Sequence, residues 1–228
     1  MIKVTPTHTG IIYVDTDKQL EFLSVGDYGK ENNIKANFLG LNQEINGVAN
    51  TSVDLKDKWV ATISTQKGCP MKCKFCDVPR YGYHGNVSVE DLAYQIETII
   101  KCESVTETDR FNVHFARMGE PTWNVHVLEF ARILKELVQV CGLNAKTVHP
   151  VVSTMLPKGN VNLESFLLVW CDIKNNLYDG EAGLQLSINS TDEKQRNELF
   201  AVRSLSLDEI YELARKLPET KGRKYTLN

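Results

Sequence analysis

From Trp59 onward, short apolar runs alternate with stretches whose apolar residues recur every three to four positions. WVATIST (59–65) predicts a strand. VSVEDLAYQIETIIKC (87–102) predicts a helix opened by Ser88, with Asp91 three residues later. FNVHFARMG (111–119) is the next strand, and WNVHVLEFARILKELVQVCG (123–142) a helix closed by Gly142. The strand TVHPVVSTM, the helix NLESFLLVWCDIKNN, the strand AGLQLSINS and the helices TDEKQRNELF and SLDEIYELARKL follow. KYTLN at the end reads as a strand just starting, so the chain is expected to be a piece of a longer protein. Strands alternating with helices argue for βα units on a parallel sheet, and units of similar length suit a full or partial barrel. Before Trp59 the pattern differs. IIYVD, LEFLSV and ANFLGL, separated by DTDK and GDYGKENN, predict a small β-ribbon or meander.

Composition adds limits. An apolar content of 42% and a charged content of 24% over 228 residues are ordinary for a globular chain, which excludes disordered and fibrous classes. No apolar run approaches the length that crosses a bilayer, and MIKVTPTHTG lacks the core of a signal peptide, so no membrane association is expected and the cytoplasm is the default compartment. There, six cysteines read as thiols or metal ligands rather than disulfides. A net charge of −3 gives no overall attraction to nucleic acid. Locally, however, Lys56, Lys58, Lys67, Lys72, Lys74 and Arg80 face only Asp57 and Asp77, and Arg215, Lys216, Lys221, Arg223 and Lys224 face Glu219. Each cluster is either a solvated face or a contact for an anionic partner.

The candidate chemistry lies in GCPMKCKFCDVPRYGYHG (68–85). Cys69, Cys73 and Cys76 have no paired partner set of the kind a structural zinc site uses, since Cys102, Cys141 and Cys171 are isolated among apolar neighbours and read as small buried hydrophobes. His84 would complete a Cys₃His zinc site, and that alternative stays open. Three thiolates at C-x₃-C-x₂-C spacing, on a loop directly after a strand, suit a [4Fe-4S] cluster held one ligand short, with an iron left for a small molecule. S-adenosylmethionine (SAM) fills that role in radical chemistry. Loops at the carboxyl ends of barrel strands are where such sites form, and Phe75 places an aromatic ring beside the cysteines.

These features resemble the radical SAM RNA methyltransferases of the RlmN and Cfr type. The resemblance runs from Asp57-Lys58 through the cysteine loop and STQKGCPMKCKFCDVPRYGYHGNVSVEDLAYQI, then MGEP (118–121), STMLP (153–157), LSINSTDEKQRNEL (186–199) and GRKYTLN. It implies a partial (β/α)6-type radical SAM barrel over 56–228 behind a β-rich segment over 1–55, and methylation of carbon 2 or 8 of an RNA adenosine. By position, Cys69, Cys73 and Cys76 would hold the cluster. Gly119 and Glu120 would receive the SAM amino group, Ser153 its carboxylate or ribose, and Ser187 and Asn189 would line the same cavity, Asn189 standing where the family usually has His. Ribosomal or transfer RNA and an electron donor such as flavodoxin are the implied partners. Tyr81, Tyr83, His84 and Arg80 have the composition of a base-stacking and phosphate contact, although core packing explains the tyrosines equally well.

The chain departs from the family in four further places. The methyl-carrying cysteine beyond the last barrel strands has no counterpart, and the acidic residue upstream of the cysteines falls on Ala49, with Glu44 the nearest substitute. The N-terminal helical domain is replaced by a β-like segment, and Arg117 stands in place of a glycine before MGEP. These departures keep two alternatives open: a radical SAM enzyme acting without methyl transfer on a small molecule or protein, and a zinc-stabilised nucleic-acid-binding module.

Overall fold

The computed structural model describes residues 1–7, 10–26, 44–45, 48–49 and 54–228. Three antiparallel strands come first: β1 (Ile2–Pro6), β2 (Gly10–Asp15) and β3 (Leu20–Gly26). β3 alternates buried and half-buried positions, as LEFLSV predicts, and Tyr13 of β2 stacks on its Phe22 at 5.2 Å. β1 was not legible in the sequence: it is an exposed edge strand, so its residues never alternate between core and solvent. A two-residue hairpin, β4 (Glu44–Ile45) with β5 (Val48–Ala49), follows. The ANFLGL run lies outside the described residues, as do the side chains at 44 and 49.

The βα units begin with β6 (Trp59–Ile63), which pairs antiparallel with β3 and parallel with the next long strand. A short hairpin, β7 (Gln66–Gly68) with β8 (Tyr83–Asn86), leads into α1 (Val89–Glu103), and the Ser88 hydroxyl accepts a hydrogen bond from the Asp91 amide as the capping pattern predicts. Then come β9 (Glu107–Phe115), α2 (His126–Val140), β10 (Asn144–Thr154), α3 (Leu163–Asp172), β11 (Gly183–Leu186), α4 (Glu193–Leu199), α5 (Leu207–Ala214) and β12 (Thr226–Leu227). A π-helical turn, Ile173–Leu177, prolongs α3.

The main sheet runs β1-β2-β3-β6-β9-β10-β11-β12, with its last five strands mutually parallel. This is the expected α/β class with parallel strands, and the N-terminal meander extends the same sheet. Helices bury their apolar stripes on it: Phe115 of β9 meets Phe130 of α2 and Trp170 of α3 edge-on near 6 Å. Within the sheet, Trp59 of β6 meets Phe111 of β9 at 5.1 Å. The Trp59 indole donates to the Ser24 hydroxyl at 2.8 Å, so the ring is buried without an unpaired N–H. No helix among the described residues is long and apolar enough to cross a membrane.

A candidate cluster and cofactor cavity

Four successive parallel strands, β6, β9, β10 and β11, send their carboxyl ends to one side of the sheet, the side on which open α/β sheets and barrels gather ligands. A cavity of about 220 Å³ opens there. It is lined by Cys69, Cys73 and Cys76 from the loop after β6, Gly119 and Glu120 from the loop after β9, Ser153 at the end of β10, and Ser187 and Asn189 after β11. All eight residues that the sequence singled out for ligand contact therefore meet in one place.

Buried amides hold the loops. Beyond Ile63 the strand ladder ends, and the Gln95 side chain from α1 takes over, accepting from the Ser64 amide at 2.8 Å and donating to the Ser64 carbonyl at 3.0 Å. Asn124 donates to the Thr65 and Val87 carbonyls at 2.7 and 2.8 Å, and Gln66 accepts from the Glu120 amide at 2.9 Å. Each replaces a missing ladder bond with a buried, fully used amide. The cysteine loop is pinched at its base, where the Cys69 amide donates to the Gly82 carbonyl at 3.0 Å and a side chain at Gly68 would collide with that carbonyl. Its far side is tied to α4 and the turn after it by Lys74 N–H to the Leu199 carbonyl at 2.8 Å and Arg203 to the Pro70 carbonyl at 3.0 Å.

Gly119 takes φ +104°, and a Cβ there would stand 2.6 Å from the Gln66 Cβ, so this position admits only glycine. Glu120 is 3% exposed, and its placement qualifies the sequence expectation. Its carboxylate caps the turn that follows, accepting from the Thr122 amide and hydroxyl at 3.2 and 2.8 Å, and from the Met155 amide at 3.0 Å. Burial pushes its pKa up, against the pull of these donors. Glu120 thus lines the cavity as a group that also locks the β9 and β10 loops together. The Ser153 hydroxyl donates to Gln185 at 2.6 Å, and Asn189 holds φ +59°, a left-handed conformation that asparagine tolerates well.

The donor set suits an iron–sulfur group. Burial raises the Cys69 and Cys73 thiols to about 11 and about 12; the nearby Glu120 and the other cysteines add to this, and the Met71 and Gly119 amides facing the Cys69 sulfur pull the other way. Crowded thiolates facing backbone N–H groups are what a cationic cluster relieves. Among the described residues, no three His, Cys, Asp or Glu side chains form a set for one metal ion. His84 is not brought to the thiols: it lines a different cavity, with Nε2–H donating to the Tyr81 carbonyl at 2.9 Å, so the Cys₃His set is not assembled.

No family model matches the chain. Among curated proteins it is similar to the "Dual-specificity RNA methyltransferase RlmN" of Wolinella succinogenes, 27% identical over 166 residues, covering 71% of this chain and 42% of that protein. The probable RlmN of Phocaeicola vulgatus is 29% identical over 171 residues, covering 74% and 43%, and that of Porphyromonas gingivalis is 32% identical over 111 residues, covering 49% and 30%. The chain is similar in sequence to the RlmN methyltransferases. It spans less than half the length of these relatives. The crystal structure of a radical SAM methyltransferase from Sphaerobacter thermophilus shares the fold, with a TM-score of 0.63 at 18% identity, covering 99% of this chain and 56% of that one.

Beside the residues expected from RlmN-type motifs stand several that the sequence did not reveal. Met71, Met155 and Phe200 form a small apolar cluster against Cys69 and Cys73, and the Cys73 sulfur lies 3.4 Å from the Met155 sulfur. Phe75, expected to shield the cysteines, is 56% exposed and leans edge-on at 5.6 Å against Phe200, which is 1% exposed. Phe200 is thus the buried ring; being adjacent to the RNEL segment was its only signal. Arg117 lines the cavity, and its guanidinium pairs with Glu21 of β3, Nε to Oε1 at 2.6 Å, and approaches Asp77 at 4.0 Å. Of the remaining cysteines, Cys171 is buried as expected, whereas Cys141, just past the end of α2, is half-buried and Cys102 is exposed. None of the three lines the cavity. The basic clusters are partly neutralised: Lys56 pairs with Glu107, Lys67 with Asp91, Arg215 with Glu212, Lys216 with Glu164 and Lys221 with Asp179.

Proposed function

We propose that this chain carries the radical-generating core of an RlmN-like radical SAM methyltransferase that modifies an adenosine in RNA. The observation that supports this most directly is the convergence of Cys69, Cys73, Cys76, Gly119, Glu120, Ser153, Ser187 and Asn189 on one cavity, from four separate strand ends. Cys69, Cys73 and Cys76 would hold a [4Fe-4S] cluster, and the polar lining would hold SAM. When bound, this pair supplies a one-electron reduction of the SAM sulfonium, with the electron drawn from a donor such as flavodoxin.

The chain's own residues position and exclude. Gly119 lets backbone approach the ligand where a side chain would not fit, and Ser153, Ser187 and Asn189 offer hydrogen bonds to a carboxylate or ribose. Met71, Met155 and Phe200 keep water from the thiols. Low solvent exposure is one of the factors that set the potential of such a cluster. The relatives named as RNA methyltransferases support an RNA substrate.

The test is anaerobic reconstitution with iron and sulfide, followed by dithionite and SAM. The expected results are cluster absorbance and formation of 5′-deoxyadenosine, both lost in Cys73→Ala. A Cys73→Ala protein that keeps cluster absorbance would remove this ligand assignment.

A further inference from the structure

A second cavity, of about 370 Å³, shares a wall with the first. The two are joined residue by residue: Gly68 lines the second and Cys69 the first, Met118 the second and Gly119 the first. Glu21 lines the second and is paired to Arg117, which lines the first. The Ser64 hydroxyl closes the seam, donating to the Glu21 carbonyl at 2.5 Å and accepting from the Met118 amide at 3.3 Å. One side of this second cavity comes from the N-terminal strands β2 and β3, and the other from the end of the cysteine loop.

Its chemistry is specific. Tyr81 is 62% exposed, and its ring stacks on no other ring among the described residues. His84 gives its Nε2–H to the Tyr81 carbonyl, so in the neutral ring Nδ1 is a bare acceptor. Glu21 spends Oε1 on Arg117, and Oε2 has no donor among the described residues. Gln19, held at φ +57° in the β2–β3 turn, adds an amide with one acceptor and one donor end. Asp15 also lines the cavity, but its carboxylate is used by the Tyr94 hydroxyl and the Asp17 and Lys18 amides. A cavity with two carboxylates repels phosphate, whereas the two N–H of a base's amino group can donate to Gln19 and Glu21. Phosphates find Arg80, next to the tyrosine, and Lys72 and Lys74 on the same loop.

We propose that this second cavity is a nucleobase subsite, in which adenine stacks on Tyr81 and turns its amino edge to Gln19 and Glu21. Glutamine matches adenine in a two-point contact, donating to N7 and accepting from the N6 amino group. The Arg117–Glu21 pair stands between this base and the cysteine cavity, so the base held here flanks the one that reacts, and the subsite selects sequence context. The inference rests on the RNA reading proposed above.

The test measures anisotropy of short labelled oligoadenylate and oligouridylate with the whole chain, without SAM, so the readout is independent of cluster loading. Oligoadenylate is expected to bind more tightly than oligouridylate. Tyr81→Leu should weaken oligoadenylate binding about 5- to 150-fold, the range for one base–aromatic stack. Gln19→Leu should remove the preference for adenine and leave oligouridylate affinity unchanged. Equal affinities for the two oligonucleotides, or a Tyr81→Leu protein that binds oligoadenylate as before, would overturn the subsite. Failure of the parent chain to bind either one overturns the RNA reading with it, while SAM cleavage, measured separately, reports on the cofactor reading alone.

Discussion

Arg196 is the side chain whose removal should cost the cavity most. It is 1% exposed, and its fork ties three backbone segments together. Nη1 donates to the Ile188 carbonyl, and Nη2 donates to the Ser204 hydroxyl at 2.8 Å and the Leu205 carbonyl at 3.0 Å. The Ser204 hydroxyl in turn donates to the Met155 carbonyl at 2.6 Å, which extends the brace to the β10 loop. The guanidinium stacks 5.3 Å from the centre of the Phe200 ring, and burial lowers its pKa. Three hydrogen bonds from a charged donor, at about 1.5–3 kcal/mol each, offset the several kcal/mol lost in burying the ion, while Nε has no partner among the described residues. Arg196→Met keeps the apolar contact with Phe200 but removes the guanidinium donors from the Ile188 and Leu205 carbonyls and the Ser204 hydroxyl, for a net loss of about 3 kcal/mol. In a domain of this size that lowers Tm by about 6–12 °C. Arg196→Lys should recover little, since an ammonium cannot span the three acceptors. Urea unfolding and SAM titration of both variants provide the check, and SAM affinity should fall as Ser187 and Asn189 lose their anchor. If Arg196→Met stays within about 1 kcal/mol of the parent, the brace does not hold this wall and the reasoning is wrong.

Two further outcomes follow from single residues. Gly119→Ala forces a Cβ to within 2.6 Å of Gln66 at φ +104°, so it should displace Gln66, cost about 1–3 kcal/mol and weaken SAM binding with the cluster retained; unaltered calorimetric titration would contradict this. His149 is buried, and burial, with Arg110 and Arg223 nearby, lowers its pKa against the pull of Glu181. The unfolded chain then binds the extra proton first, so stability should rise as pH climbs through about 6.5, and His149→Asn should flatten that slope in denaturation series. A slope unchanged by the substitution would place its origin elsewhere.

How much of this was legible in the sequence depended on whether a residue's role is written in its own neighbourhood. The helices were, because Ser88 and Gly142 mark their ends and the apolar stripes of α1 and α2 have one period. The residues that line the cavity were, because C-x₃-C-x₂-C, MGEP and the serines fall at strand ends. The supports were not. Gln66, Gln95 and Asn124 are ordinary polar residues until folding sets each amide against a backbone gap more than thirty positions away. Glu120 read as a carboxylate for the SAM amino group, and only the approach of the Met155 amide reveals its second occupation. Arg117 looked like an interruption, because its partner Glu21 comes from the meander across the sheet seam.

The thiol loop hangs from β6, a strand hydrogen-bonded on both flanks, to β3 on one side and β9 on the other. A beam clamped along both edges cannot slide. Any swing of the sulfurs must therefore pivot at Gly68 and Gly82, the two positive-φ residues at the neck. Deuterium uptake would then start inside 69–81 while the amides of 59–63 stay locked, so that the cysteine arm opens like a hatch on a fixed frame.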